Sequence, residues 1–157
     1  MMRLSQQADL SFERLDAQVL VAPFFLEENP LCGVCALLDQ HLGGMLTDLL
    51  PAGRVSGRFG EYVLAAGRCK LHAPWILFVG AGARADFHKS SCAELFDDVL
   101  RICRLAGFFQ VGLCFDPTQD ITPEFLEAQV QKQCRDPGGK EITCCIAYDS
   151  ATLAEKN

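Results

Sequence analysis

The chain has 157 residues, half of them hydrophobic, which is enough for one sizeable core but short of two ordinary domains. The formal net charge of −6 disfavours a general nucleic-acid binder, because neutralising phosphates requires an excess of Lys and Arg on one face. No apolar run approaches the ~20 residues of a membrane helix, and the N-terminal segment lacks the apolar core of a secretory signal. We therefore expect a single cytoplasmic domain over residues 1–150, followed by a frayed tail over 151–157.

The first half of the chain predicts strands around a helical segment. The run "LDAQVLVAPFF" (15–25) indicates a buried strand, and residues 4–12 are a candidate edge strand before it. Apolar positions recur at helical spacing over 31–50 and are interrupted by Gly43-Gly44, which predicts two short helices or one bent helix.

The next segments continue the alternation of strands and helices. "GEYVLAAG" (60–67) and "APWILFVGAG" (73–82) predict two strands, the second of them central in the sheet. Ser90 and Ser91 can cap a helix with a core-facing apolar stripe, and Gly107 stands where that helix should stop.

The last segments predict one more helix between two strands. "FFQVGLCFD" (108–116) is a strand, Thr122-Pro123 begins a helix, and "EITCCIAYD" (141–149) is the final strand. Strands alternating with helices predict a three-layer α/β/α domain with a mixed, mostly parallel sheet of about six strands.

The chain has nine cysteines, an odd number, and most of them stand in apolar runs, where a thiol behaves as a small hydrophobic group. The pair Cys32 and Cys35 has Cys-x-x-Cys spacing at a predicted helix start, which is compatible with a zinc site, a redox dithiol or small residues that pack. A structural zinc site needs four ligands, and the sequence offers no second close pair. A thioredoxin-like dithiol would also lie at a strand-to-helix turn, but the surrounding residues of that motif are missing. We expect free thiols that pack as small residues, with no metal and no cofactor, and we retain redox activity as the alternative.

Two further features bear on a ligand site. "VGAGARADF" places Gly80 and Gly82 directly after an apolar strand, as in a loop that cradles a ligand, but a tight strand exit explains the same glycines. The histidines His41, His72 and His88 are scattered and are expected on the surface or at helix caps.

The order of these segments resembles the N-terminal domain of the leucyl aminopeptidase family, peptidase family M17. The resemblance is carried by "DAQVLVAPFFLEENPLCGVCALLDQHLGGMLTDLL" and "GRVSGRFGEYVLAAGRCKLHAPWILFVGAGARADF", followed by a helix and "FFQVGLCF". It implies a macro-domain-like fold. In that family a later domain supplies two metal ions and the catalytic Lys and Arg, and no such segment stands in this sequence. The resemblance therefore implies no peptidase activity and no metal site here.

Macro domains proper bind ADP-ribose, and "GEYVLAAGRCKLHAPWILFVG" is similar to one of their strand pairs. The ligand loops differ. Pro23-Phe24 replaces the Asn-Asn of that family, and "DPTQD", with Asp116 and Asp120, replaces its Gly-rich phosphate loop. Two carboxylates there would repel a diphosphate.

The resemblance thus favours a non-catalytic domain that acts through a protein partner or through self-association. The alternative is a module that binds a nucleotide-like or other small anionic ligand in a cleft between residues 31–36 and 80–84. We expect no nucleic acid and no membrane among the partners. The candidate ligand-binding residues are Leu31, Cys32, Gly33, Val34, Gly80, Ala81, Gly82 and Arg84.

Overall fold

A computed structural model describes residues 16–67, 71–133 and 142–147. The strands of this part of the chain are β1 (Val19–Phe24), β2 (Tyr62–Ala66), β3 (Trp75–Gly80), β4 (Gln110–Cys114) and β5 (Thr143–Ala147). The α-helices are α1 (Gly33–His41), α2 (Met45–Leu49), α3 (Lys89–Ala106) and α4 (Pro123–Gln133). None of these helices is long and apolar enough to cross a membrane.

The strands form one mixed sheet in the order β2-β3-β1-β4-β5, in which only the β2–β3 pair is antiparallel. The prediction of a mixed, mostly parallel sheet is confirmed. Within the described ranges the sheet has five strands, slightly fewer than the six or so expected. The candidate edge strand at 4–12 lies outside the described residues.

The central strand β1 explains the three layers. All six of its residues are buried, and their side chains alternate between two cores. Val19 and Val21 pack with α3 and α4, whereas Leu20 and Phe24 pack with α1 and α2. A strand buried on both faces requires helices on both sides of the sheet.

The helix between 31 and 50 is broken at the glycines, as one of the two predictions required. Gly43 and Gly44 have φ of 70° and 79°, a left-handed conformation that favours glycine. The buried carboxylate of Asp39 accepts hydrogen bonds from the backbone N–H groups of Leu46 (2.7 Å) and Thr47 (3.1 Å). Asp39 therefore fixes the start of α2 against α1.

The predicted ends of the later helices are largely confirmed. Gly107 ends α3 with φ of 84°, and α4 begins at Pro123. The prediction that Ser90 and Ser91 cap α3 is wrong, because the helix already begins at Lys89 and the Ser91 hydroxyl donates to the carbonyl of Asp86 (2.9 Å).

The pairing around β1 is uneven at its carboxyl end. Pairing with β3 continues to the last residue, Phe24 opposite Gly80, whereas pairing with β4 stops at Val21 opposite Leu113. The chains that leave β1 and β4 are therefore not held together by the sheet, and they form two walls of a cavity at this edge.

Candidate functional site

A cavity of about 370 Å³ lies at the carboxyl ends of β1, β3 and β4, and we call it the strand-end cavity. Its walls come from the chain after β1, the turn after β3 and the chain after β4. The lining residues are Pro23, Phe25, Glu28, Arg84, Phe87, His88, Phe115, Asp116, Thr118, Asp120 and Ile121.

Asp116 joins the chain after β4 to the start of α1. Its carboxylate oxygens lie 3.1 and 3.3 Å from the backbone nitrogen of Val34, whose N–H donates to them. The first N–H groups of a helix attract anions, so Asp116 supplies the negative group that a bound anion would otherwise bring. Gly33 permits this approach, because a Cβ at that position would run into the Asp116 carboxylate.

Glu28 is a buried acid in the loop after β1. Its side chain is only 7% exposed, and Oε1 pairs with the Arg84 guanidinium and accepts a hydrogen bond from the Cys32 thiol at 3.5 Å. Burial raises the pKa of Glu28, and the positive charge of Arg84 opposes that rise. The second oxygen, Oε2, is buried and makes no hydrogen bond.

Arg84 lines the cavity and is held by several contacts. Besides its pairing with Glu28, its guanidinium carbon lies 4.2 Å from the centroid of the Phe25 ring, and its backbone N–H donates to Glu27 Oε2 at 3.2 Å. The Phe25 ring meets Phe87 edge-on, with centroids 5.2 Å apart. Charge pairing and ring stacking together fix the orientation of Arg84.

The backbone donors after β3 are used within the fold. Ala81 N–H donates to the carbonyl of Phe24 (2.8 Å), and Gly82 N–H donates to the carbonyl of Gly57 (2.9 Å). A Cβ at Gly80 would meet the backbone carbonyl of Arg58. These contacts agree with the interpretation of this segment as a tight strand exit.

The structure separates the predicted site residues. Arg84 lines the strand-end cavity, whereas Leu31 lines a different depression of about 390 Å³ beside α1 and α2. Cys32 and Gly33 are exposed at the start of α1, and Val34 is buried next to them. Gly80 ends β3, and Ala81 and Gly82 follow it. The assignment of all eight as ligand-binding residues remains a prediction.

Sequence reasoning missed several lining residues, among them Glu28, Phe25, Phe87 and Ile121. Glu28 and Arg84 are 56 positions apart, and no motif spacing links the two. A signal was present in "EENP", where two acids follow a buried strand at the edge that carries ligands in open parallel sheets.

The Cys-x-x-Cys pair consists of free thiols. Cys32 is exposed at the N-cap of α1 and Cys35 is buried. Burial is the main cause that raises the pKa of both thiols, and the nearby Glu28 carboxylate raises them further. This electrostatic setting opposes thiolate formation, which redox and metal chemistry both require. Across residues 16–67, 71–133 and 142–147, no group of three or more His, Cys, Asp or Glu side chains is placed to hold a metal ion.

Comparison with known proteins identifies the family. The model of the cytosol aminopeptidase family, N-terminal domain, matches residues 21–132. A probable cytosol aminopeptidase of Haemophilus ducreyi is 25% identical over 105 residues, which cover 67% of this chain and 21% of that protein. The chain thus spans about a fifth of the curated relative that it matches.

Solved structures show the same fold at low identity. A mutant of tomato leucine aminopeptidase superposes with a TM-score of 0.64 and 15% identity, over 95% of this chain and 33% of that one. The Trypanosoma brucei macrodomain superposes with a TM-score of 0.70 and 16% identity, over 98% of this chain and 66% of that one. A structure of that macrodomain in complex with ADP superposes with a TM-score of 0.66 and 18% identity, over 92% of this chain and 61% of that one. The resemblance read from the sequence is confirmed: the chain belongs to the cytosol aminopeptidase family, as a macrodomain-like domain of its N-terminal type.

Proposed function

We propose that the chain is a non-catalytic binding domain and that its strand-end cavity holds a small ligand. The observation that carries the proposal is the cavity itself. Its volume of about 370 Å³ lies in the range typical of small-molecule sites, about 300–1,000 Å³. It also opens at the carboxyl ends of parallel strands, where open α/β sheets bind their ligands.

The lining argues against a diphosphate such as that of ADP-ribose. Val34 N–H, at the start of α1, already donates to the Asp116 carboxylate, and Asp120 adds a second negative side chain. Pro117 follows directly and has no N–H to offer. The known complex of the Trypanosoma brucei macrodomain with ADP therefore does not transfer to this chain. We expect ADP-ribose to bind no more tightly than roughly millimolar, and calorimetric titration measures it.

A thermal-shift panel of nucleotides, ADP-ribose, amines and carboxylic acids tests the proposal, because a ligand of the native state raises the melting temperature. Phe87→Ala removes a half-buried ring from the cavity wall, and Phe108→Ala removes a half-buried ring that packs elsewhere on the core. A hit should stabilise the wild-type protein and Phe108→Ala but not Phe87→Ala. A panel without hits, or a hit that survives in Phe87→Ala, contradicts the proposal.

Self-association is a second candidate, and two exposed apolar side chains on β2 and β3 favour it. Leu64 is 49% exposed and Trp75 is 39% exposed. The register pairs Leu64 with Leu77 and Ala66 with Trp75, so Leu64 and Trp75 are diagonal neighbours on one face of the sheet. Two adjoining exposed apolar side chains favour contact with a second copy of the chain.

Sedimentation equilibrium tests this candidate. Leu64→Lys should weaken a wild-type dimer, whereas Leu105→Lys, at a site that is 78% exposed near the end of α3, should leave it unchanged. A wild-type protein that stays monomeric up to about 100 µM rules out an association of useful strength.

A further inference from the structure

We propose that the strand-end cavity selects a small organic cation, a primary amine carried on an aromatic or aliphatic body. The inference rests on the proposed function, namely that this cavity holds a small ligand. It replaces the anionic ligand that the sequence suggested with one of the opposite charge.

The first argument is the balance of charge on the walls. Three carboxylic side chains line the cavity, Glu28, Asp116 and Asp120, against one guanidinium, that of Arg84. The guanidinium is already paired with Glu28. His88 contributes an imidazole to the same lining. A ligand cation is attracted to such a wall, and a phosphate or carboxylate is repelled.

The second argument is the unused acceptor on Glu28. The Glu28 side chain is only 7% exposed, and its Oε2 atom is buried without a hydrogen-bond partner. A buried acceptor without a donor is costly, and most buried carboxylate oxygens in proteins have one. Glu28 lines the cavity, and an ammonium group brings three donors for such an acceptor.

The third argument is the aromatic part of the lining. The rings of Phe25, Phe87 and Phe115 line the cavity and offer apolar surface for the body of a ligand. The Arg84 guanidinium, 4.2 Å from the Phe25 centroid, shows that a cation is accommodated against this wall. Acids beside aromatic rings form the combination that recognises organic ammonium groups.

Three probes with the same aromatic body and different charge test the inference: phenethylamine, phenethyl alcohol and phenylacetate. Calorimetric titration of the wild-type protein should show that the amine binds at least about tenfold more tightly than the alcohol, with no measurable binding of phenylacetate. The comparison isolates the charge of the ligand, because the phenyl group is common to all three.

Variants locate the binding within the cavity. Asp120→Asn should lower the affinity for phenethylamine by about two- to fivefold, as expected for one exposed carboxylate. Glu28→Gln should lower this affinity by about tenfold or more, because solvent ions screen a buried charge less than an exposed one. Asp97→Asn makes the same chemical change at an exposed position of α3 outside the lining and should have no effect. Affinity for phenethyl alcohol should be unchanged in all three variants, which excludes general damage to the fold.

The outcomes separate this inference from the proposed function. Binding of the alcohol or of phenylacetate as tightly as the amine, lost in Phe87→Ala, would leave the small-ligand function standing and overturn the inference. Amine binding that is unaffected by both cavity variants would also overturn it. Absence of binding by the amine up to roughly 10 mM rejects the inference alone, since the broader thermal-shift panel decides the proposed function.

Discussion

The carboxylate of Asp116 accepts a hydrogen bond from Val34 N–H across 82 positions of sequence. One side chain thereby joins the end of β4 to the start of α1. The same contact places a fixed negative charge at the helix N-terminus, where it stabilises the helix and competes with any bound anion. Stability and ligand preference are therefore coupled at this residue.

Replacing Asp116 with Ala should lower the free energy of unfolding by about 0.5–2 kcal/mol, the usual loss when an acceptor at a helix N-terminus is removed. Urea denaturation measures it. Asp120→Ala is the matched control, because that carboxylate is exposed and accepts no such bond, and it should change the free energy by less than about 0.5 kcal/mol. Equal effects of the two substitutions would show that the Val34 contact contributes nothing.

Replacing Gly33 with Ala should destabilise the fold more than replacing Gly43 with Ala. Both glycines have left-handed φ, 65° and 70°, so both variants incur strain of about 1–2 kcal/mol. A Cβ at Gly33 also runs into Asp116, whereas a Cβ at Gly43 would meet no atom of the described residues within 4 Å apart from its chain neighbours. The additional loss of stability in Gly33→Ala, relative to Gly43→Ala, should become smaller when Gly33→Ala is made in an Asp116→Ala background. An additional loss of the same size in that background contradicts this explanation.

Among the cysteines that the structure describes, Cys32 should react first with iodoacetamide, because it is the exposed one. The reaction should be slow at neutral pH, since burial and the Glu28 carboxylate raise the pKa of this thiol. Cys35 should react only when the protein unfolds. Mass spectrometry of labelled peptides gives the order, and elemental analysis should find no zinc. Stoichiometric zinc that is lost in Cys32→Ser would contradict the prediction.

Stability attributable to Glu28 should fall as the pH rises. Because burial raises the pKa of Glu28 above its ordinary value of 4.5, the folded state binds this proton more tightly than the unfolded chain. The contribution is fully present below pH 4.5 and is lost as the pH rises through the folded pKa. The difference in unfolding free energy between wild type and Glu28→Gln should therefore decrease over that range. A flat or rising difference is the contrary result.

The purified protein should show no aminopeptidase activity toward a leucine anilide with zinc or manganese added. Metal-assisted peptide hydrolysis requires a cluster of ligands that fixes the ion, and the described residues offer no such cluster. Release of the chromophore is followed by absorbance. Turnover that survives purification to homogeneity would refute the expectation.

Local signals in the sequence were sufficient for much of the fold. Neighbouring residues alone predict the strand β1, the end of α3 at Gly107 and the start of α4 at Pro123. The structure confirms all three. The site depends on contacts between distant residues. No spacing rule connects Glu28 with Arg84, and the sequence alone does not show whether Asp116 faces solvent or a helix end.

The early end of the β1–β4 pairing has a consequence for how this site can change. The β1–β4 ladder ends at Val21 and Leu113, so the segments that follow β1 and β4 contribute to the cavity but not to that ladder. Insertions or substitutions in these wall segments can alter the size and chemistry of the opening at little cost to the sheet. A single scaffold can thus be given a new ligand by exchanging two short segments, and directed evolution of this domain should start there.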